Sequence, residues 1–225
     1  MPTAQPAASV TVVAGPLALA LTGTPGLFTV ALTASEAEPG LWLIALALTA
    51  DMPAAPPALG LRWTLPCADI HAIWRGDCSP LRGAFPPDWG GNARFTARAC
   101  SSAPVICLHG QGGSNRLTFA SDDALHPTTL GAGINEETGA FICSSEWFAG
   151  GLPPARRFVA RLRLDLREQP MARARPWPAR WWEMFYPPCA VPEVGRLPMY
   201  STWYTFHQAV EPAAVEAECR LAKEL

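Results

Sequence analysis

One stretch restricts the fold more than any other: "RRFVARLRLDLR", residues 156–167. Phe158, Ala160, Leu162, Leu164 and Leu166 recur at every second position. Arg157, Arg161, Arg163, Asp165 and Arg167 fill the places between, and Val159 alone breaks the alternation. A period of two places successive side chains on opposite faces of a pleated strand. The run therefore predicts an antiparallel strand with one apolar and one wet face. Weaker alternation recurs from Val10 onward: Val10, Val12 and Ala14, then Phe28, Val30 and Leu32. Further strands are expected over Leu61–Leu65, Ile70–Arg75, Arg94–Arg98, Val105–His109, Arg116–Ala120 and Gly139–Ser144, separated by turn clusters such as "DMPAAPPALG", "GQGGSN" and "AGGLPP". The apolar run Leu41–Leu48 reads as a central strand buried on both faces. Many short strands with no helices between them imply an antiparallel β-sandwich over residues 1–167.

The pattern changes after Arg167. Residues 168–197 hold six prolines and the aromatic cluster Trp177, Trp181, Trp182, Phe185 and Tyr186. This segment reads as a packed linker, with a short helix in "PARWWEMF" and an extended run in "YPPCAVPEVGRLP". A new unit begins near 198. Pro198 to Phe206 is aromatic and rich in Thr and Tyr, which suits a buried strand. Pro212 fits a first helical turn, and Val215, Cys219 and Ala222 follow at helical spacing. A strand followed by an amphipathic helix normally continues into a parallel strand. The sequence is accordingly expected to be the front part of a longer protein.

Composition narrows the function classes. Hydrophobic residues make up 49%, which suffices for a large core, and the formal charge of −2 offers no field for nucleic acid or an anionic membrane. Eight arginines lie between Arg156 and Arg180, but they alternate with core positions and read as a solvated sheet face or a domain-interface patch. The seven cysteines form no CxxC pair, so buried, reduced thiols and a cytoplasmic protein are expected. The N-terminus has no basic start or compact apolar run of a signal peptide, and no apolar stretch approaches the roughly 20 residues of a membrane helix.

"SDDALHP" offers Asp122, Asp123 and His126, with Glu136 and Glu137 downstream. Its spacing matches no metal motif, and turn capping is the expected role. "HGQGGSNR" lacks the Gly-Lys-Ser/Thr of a phosphate loop and reads as a hairpin loop. No cofactor or metal site is expected.

At "MYSTWYTFHQ" the chain resembles the first barrel strand of family 36 glycoside hydrolases, the melibiase-type α-galactosidases and their raffinose-synthase relatives. "IHAIWRGD", "RLTFASDDA", "GINEETGAF", "RLRLDLRE" and "RWWEMF" are similar to pieces of that family's N-terminal β-sandwich (supersandwich) and linker. The resemblance implies a mainly β fold: the sandwich, then the first strand and helix of a truncated (β/α)8 barrel over 198–225. It implies retaining hydrolysis of terminal α-D-galactosides, with the two catalytic carboxylates and the Asp-Asp-Gly-Trp stretch on later strands outside this chain. It implies no metal, and assembly into homo-oligomers through the sandwich, whose Gly-rich loop reaches toward a neighbouring subunit's sugar pocket in the minor reading. Trp203, Tyr204, His207 and Gln208 become the candidate substrate-binding residues: an indole to stack on a pyranose, polar groups to bond its hydroxyls. Some relatives carry an acidic residue where Tyr204 stands, which leaves the preferred sugar open. The alternatives are a raffinose-synthase-type transglycosidase and a non-catalytic carbohydrate-binding or oligomerisation module.

Overall fold

The computed structural model describes residues 10–77, 83–84, 92–98, 102–199 and 201–224. The chain divides into two units, Met1–Pro187 and Pro188–Leu225. Two of the seven cysteines, Cys78 and Cys100, lie outside the described residues, as do Tyr200 of "MYSTWYTFHQ" and Leu225.

The first unit is built on two antiparallel sheets, with strands numbered along the chain. One sheet has the order β1 (Thr11–Ala14), β2 (Leu17–Thr22), β5 (Leu59–Pro66), β12 (Ala140–Trp147), β11 (Thr128–Asn135) and β8 (Asn92–Ala97). The other has β3 (Thr29–Glu38), β4 (Leu41–Ala54), β13 (Ala155–Asp165), β10 (Asn115–Ser121), β9 (Ser102–His109), β6 (Ala72–Asp77) and β7 (Gly83–Ala84). Their inner faces share one core. Leu19, Leu61, Trp63 and Phe141 come from the first sheet, and Leu46, Ile106, Phe119 and Leu162 from the second. At its centre Trp63 meets Phe119 edge-on, with ring centroids 5.0 Å apart at 83°. Trp147 Nε1 donates to Ser121 Oγ at 2.8 Å, which joins β12 to β10 across the layers. The expected mainly β chain of two antiparallel sheets is thus present.

Three strands, β2, β11 and the two-residue β7, had no counterpart in the sequence reading. "LALALT" is one-third alanine, a poor strand former, and "TTLGAGIN" carries two glycines. Packing decides both. A Cβ at Gly131 in β11 would lie 2.8 Å from Ser144 Oγ on the neighbouring β12. The Leu41–Leu48 run differs from expectation. Ile44, Leu46 and Leu48 are fully buried, whereas Leu43, Ala45 and Ala47 on the opposite face are only half-buried.

The wet face expected for β13 is also corrected. Its inner side holds Ala160, Leu162 and Leu164 in the core. Its outer side is largely covered, because the chain beyond it folds back as α1 (Met171–Ala174) and α2 (Trp177–Trp182). Trp181 is buried against Val105, Cys107 and Ala120 on the outer face of the second sheet, with Trp177 and Trp182 beside it. Trp182 Nε1 donates to the Ser121 carbonyl at 2.7 Å. The Trp-rich part of the segment expected as a linker therefore belongs to the first unit's packing.

The second unit contains no strand among its described residues. It holds a 3₁₀ turn at Glu193–Arg196, a helical turn α3 (Trp203–Phe206) and the helix α4 (Pro212–Glu224). The strand expected over Pro198 to Phe206 is corrected at Trp203–Phe206. A strand needs a hydrogen-bonding neighbour, and here local bonds serve instead: Phe206 N donates to Thr202 O at 2.9 Å and His207 N to Trp203 O at 3.0 Å. The expected C-terminal helix is present, but of its apolar stripe Val215 is half-buried while Cys219 and Ala222 are exposed.

All five described cysteines are free thiols: Cys107 and Cys143 are buried, Cys67 is half-buried, and Cys189 and Cys219 are exposed. The expectation of mostly buried thiols thus fails in the second unit. Burial pushes Cys107 up to about 12, against the opposing hydrogen bond with Thr118. Brief treatment of the native chain with iodoacetamide near neutral pH should therefore label Cys189 and Cys219 and spare Cys107 and Cys143, as read by peptide mass mapping. Trp63→Ala should cost about 3–5 kcal/mol, the range for a fully buried large aromatic. It should appear as a lower urea midpoint with an unchanged denaturant slope.

Candidate functional site

The four candidate sugar-binding residues fall within one helical turn and its exit. Trp203 and Tyr204 open α3 and are 56% and 84% exposed, with His207 and Gln208 exposed just beyond. Trp203 and His207, four residues apart, meet edge-on with ring centroids 5.8 Å apart. His207 has φ 48°, a conformation that non-glycine side chains seldom adopt. The turn brings Trp203 and His207 together. It does not place Tyr204 with them, and none of the four lines a described cavity.

The "SDDALHP" segment caps its own turn. Asp123 Oδ1 accepts from the backbone N–H of Leu125 and His126 at 3.1 and 2.8 Å, and His126 Nδ1 lies 3.0 Å from Asp123 Oδ2. No group of three metal-ligating side chains occurs among the described residues. The "GQGGSN" segment is the expected hairpin loop between β9 and β10. Gly112 and Gly113 there take φ 77° and 80°, which only glycine adopts without strain.

One groove lies on the outer face of the second sheet. It has a volume of about 610 Å³ and is lined by Arg163 of β13, by Arg167, Arg173 and Arg180 beyond it, and by Trp177 and Trp181 of α2. Arg163 stacks its guanidinium against Trp177 and Trp181, 5.9 and 5.4 Å from the ring centroids. Burial lowers its pKa, yet an arginine here remains charged. Arg167 is fully engaged: it donates to Asp165 through Nε and Nη2, both at 2.9 Å, and to Glu38 through Nη1 at 2.6 Å. Glu38 is the one carboxylate in the groove, and Arg167 occupies it. Arg163 Nε and Trp177 Nε1 are buried without a hydrogen-bond partner. Each such orphaned donor costs about 1–3 kcal/mol.

Two smaller grooves lie on the outer face of the first sheet. They share Arg94, Ile142 and Ser144 and measure about 380 and 290 Å³. Across the three grooves each holds at most one carboxylate, Glu38 in the largest and Glu146 in the smallest. A retaining glycosidase needs two, about 5–5.5 Å apart. These grooves therefore lack the groups for that chemistry.

The arginines and tryptophans of the Arg163–Trp181 groove were visible in the sequence, but as a solvated face and a linker. The signal that links them is the i, i+4 spacing of Trp177 and Trp181 behind an alternating Arg strand, which lets one helical face cover the outward guanidinia. No helix among the described residues is long and apolar enough to cross a membrane. No protein-family model matches this chain, and no curated protein does.

Asp122 supplies a titrating group beside these elements. It is 7% exposed and accepts from Arg161 N at 2.9 Å and from Arg161 Nη1 at 3.0 Å. Burial pushes its carboxyl up, and the Arg161 contacts oppose that without cancelling it. The folded state therefore holds the proton more tightly than the unfolded chain. The contribution of Asp122 to stability should fall as pH rises from the ordinary carboxylate range through the raised folded value, then level off. Urea melts across that range should show the difference between the native chain and Asp122→Asn declining with pH.

Proposed function

We propose that this chain is the N-terminal portion of a retaining α-galactosidase similar to family 36 glycoside hydrolases. It would supply the β-sandwich and the first rim residues of a sugar pocket, while a (β/α)8 barrel outside the chain would supply both carboxylates. The observation that carries the reading is the order of parts: "STWYTFHQ" follows a two-sheet unit closed by a "RWWEMF" segment. In this reading residues 198–206 become a strand when barrel neighbours offer hydrogen-bond partners. Trp203 then stacks on galactose, and Tyr204, His207 and Gln208 line the rim. Exposure of all four, outside any described groove, agrees with a site completed by other residues. Homo-oligomerisation through the sandwich and a cytoplasmic location belong to the same proposal.

A second reading, a non-catalytic binding or oligomerisation module, is favoured by one observation. The largest of the three described grooves lies wholly within the first unit and involves none of the residues from 198 onward.

The gene decides between them. Residues 1–225 alone should not hydrolyse p-nitrophenyl α-D-galactopyranoside. The product of the whole reading frame should do so, with retention at the anomeric carbon by NMR. In that protein Trp203→Ala should lower kcat/KM roughly tenfold or more, for the loss of a stacking face and an N–H donor. A stop codon within a few residues of Leu225, or a full product inactive on every α-galactoside tested, would sink the enzyme reading.

A further inference from the structure

We propose that the groove between α2 and the outer face of the second sheet binds a phosphate dianion, through Arg163, Arg173 and Arg180 over the indoles of Trp177 and Trp181. This goes beyond the glycosidase reading and does not depend on it.

The first support is charge. Four guanidinia line the groove, and its single carboxylate, Glu38, is held by Arg167. Arg167 is further saturated by Asp165. Arg163, Arg173 and Arg180 make no ion pair with a carboxylate among the described residues, and the Glu38 charge that reaches Arg163 is already bound by Arg167. Three clustered cations on a chain of net charge −2 are a local exception. Their repulsion is relieved by an anion of two charges. The planar fork of a guanidinium matches phosphate oxygens pairwise, and several forks around one centre favour a tetrahedral oxyanion over a single carboxylate.

The second support is the pair of unsatisfied donors. Arg163 Nε and Trp177 Nε1 belong to residues that line the groove, and both are buried with no acceptor. Buried N–H groups in folded proteins nearly always have a partner. A ligand oxygen entering beside them, with a small shift of the indole, supplies one.

The third is shape. A volume of about 610 Å³ falls within the range of small-molecule pockets and exceeds the needs of a bare ion. The indoles leave an apolar wall for the organic part of a phosphate ester. The arrangement is rigid where it must be, since Trp181 is only 4% exposed and Arg163 stands on a central strand.

The test is calorimetric titration of the full 225-residue chain at constant ionic strength in chloride, with inorganic phosphate in one arm and phenyl phosphate in the other. Saturable one-to-one binding is expected in at least one arm. Tighter binding of phenyl phosphate assigns an ester, and equal binding assigns the free ion. The double variant Arg173→Gln/Arg180→Gln should weaken binding about tenfold or more, for two lost charge-assisted contacts. Both side chains are exposed, so near-UV circular dichroism should be unchanged. Trp177→Phe keeps an aromatic wall and removes the N–H, and should weaken binding severalfold. Absence of saturable heat in both arms overturns the proposal, as does undiminished binding by the double variant. Binding of a polyglutamate peptide without binding of either phosphate also overturns it, and makes the groove a protein-docking face.

Discussion

The placement of the segment that follows β13 in the first unit depends on one buried carboxylate. Asp165, fully buried at the end of β13, accepts four hydrogen bonds: from Arg167 N at 3.0 Å, Arg167 Nε and Nη2 at 2.9 Å, and Gln169 Nε2 at 2.9 Å. A buried carboxylate without such donors would cost several kcal/mol. Asn115 on the neighbouring β10 completes the lock. Its Nδ2 donates to the carbonyls of Asp165 and Arg167 at 3.1 and 2.9 Å, its Oδ1 accepts from Thr118 Oγ1 at 2.7 Å, and its N–H donates to Gln169 O at 2.7 Å. The chain is thus held to the sheet for several residues after the strand ends. Only then can α1 and α2 lie across the outer face.

That placement turns a charged sheet face into a mixed one. Arg161 stacks on Phe185, Arg163 on two indoles and Arg175 on Trp74, each within 6 Å of a ring centroid. A guanidinium tolerates this because it is weakly hydrated and its flat face is nearly apolar. Lysine would not, since its compact ammonium keeps its water. The Arg-rich composition therefore has a structural use here. Covering the sheet with aromatic rings also leaves a groove where the cover is incomplete, and there the uncompensated charge collects.

The two units differ in what holds them. The first closes its backbone hydrogen bonds in sheet ladders and buries a shared core. The second closes them locally, within single helical turns, and neither α3 nor α4 buries a residue fully. Trp203, Tyr204 and Met199 stand exposed on it, the last at 91%. An aromatic segment of high β-propensity that lies helical and uncovered is one whose conformation a neighbour can change. This is the physical content of the proposal that residues 198–206 find their strand partners elsewhere.

Much of the two-sheet unit was legible in order. The period of two marked β13, and the turn clusters separated most other strands, because side-chain alternation is a local property that the chain carries wherever it folds. β2, β7 and β11 escaped, since alanine and glycine carry little local preference and pair only because neighbouring strands leave that space. Trp203 and His207 were legible as residues of interest, but their helical turn was not, because aromatic and Thr-rich composition favours a strand and the turn is closed by local backbone bonds. The groove was the least legible. Its arginines and tryptophans lie in strand and helix segments that are polar or aromatic for separate local reasons. Sequence alone determined the alternation, the free thiols' positions and the slight net acidity. Tertiary structure decided which face of β13 met water, because that depends on where the Asp165–Asn115 lock directs the chain after the strand has ended.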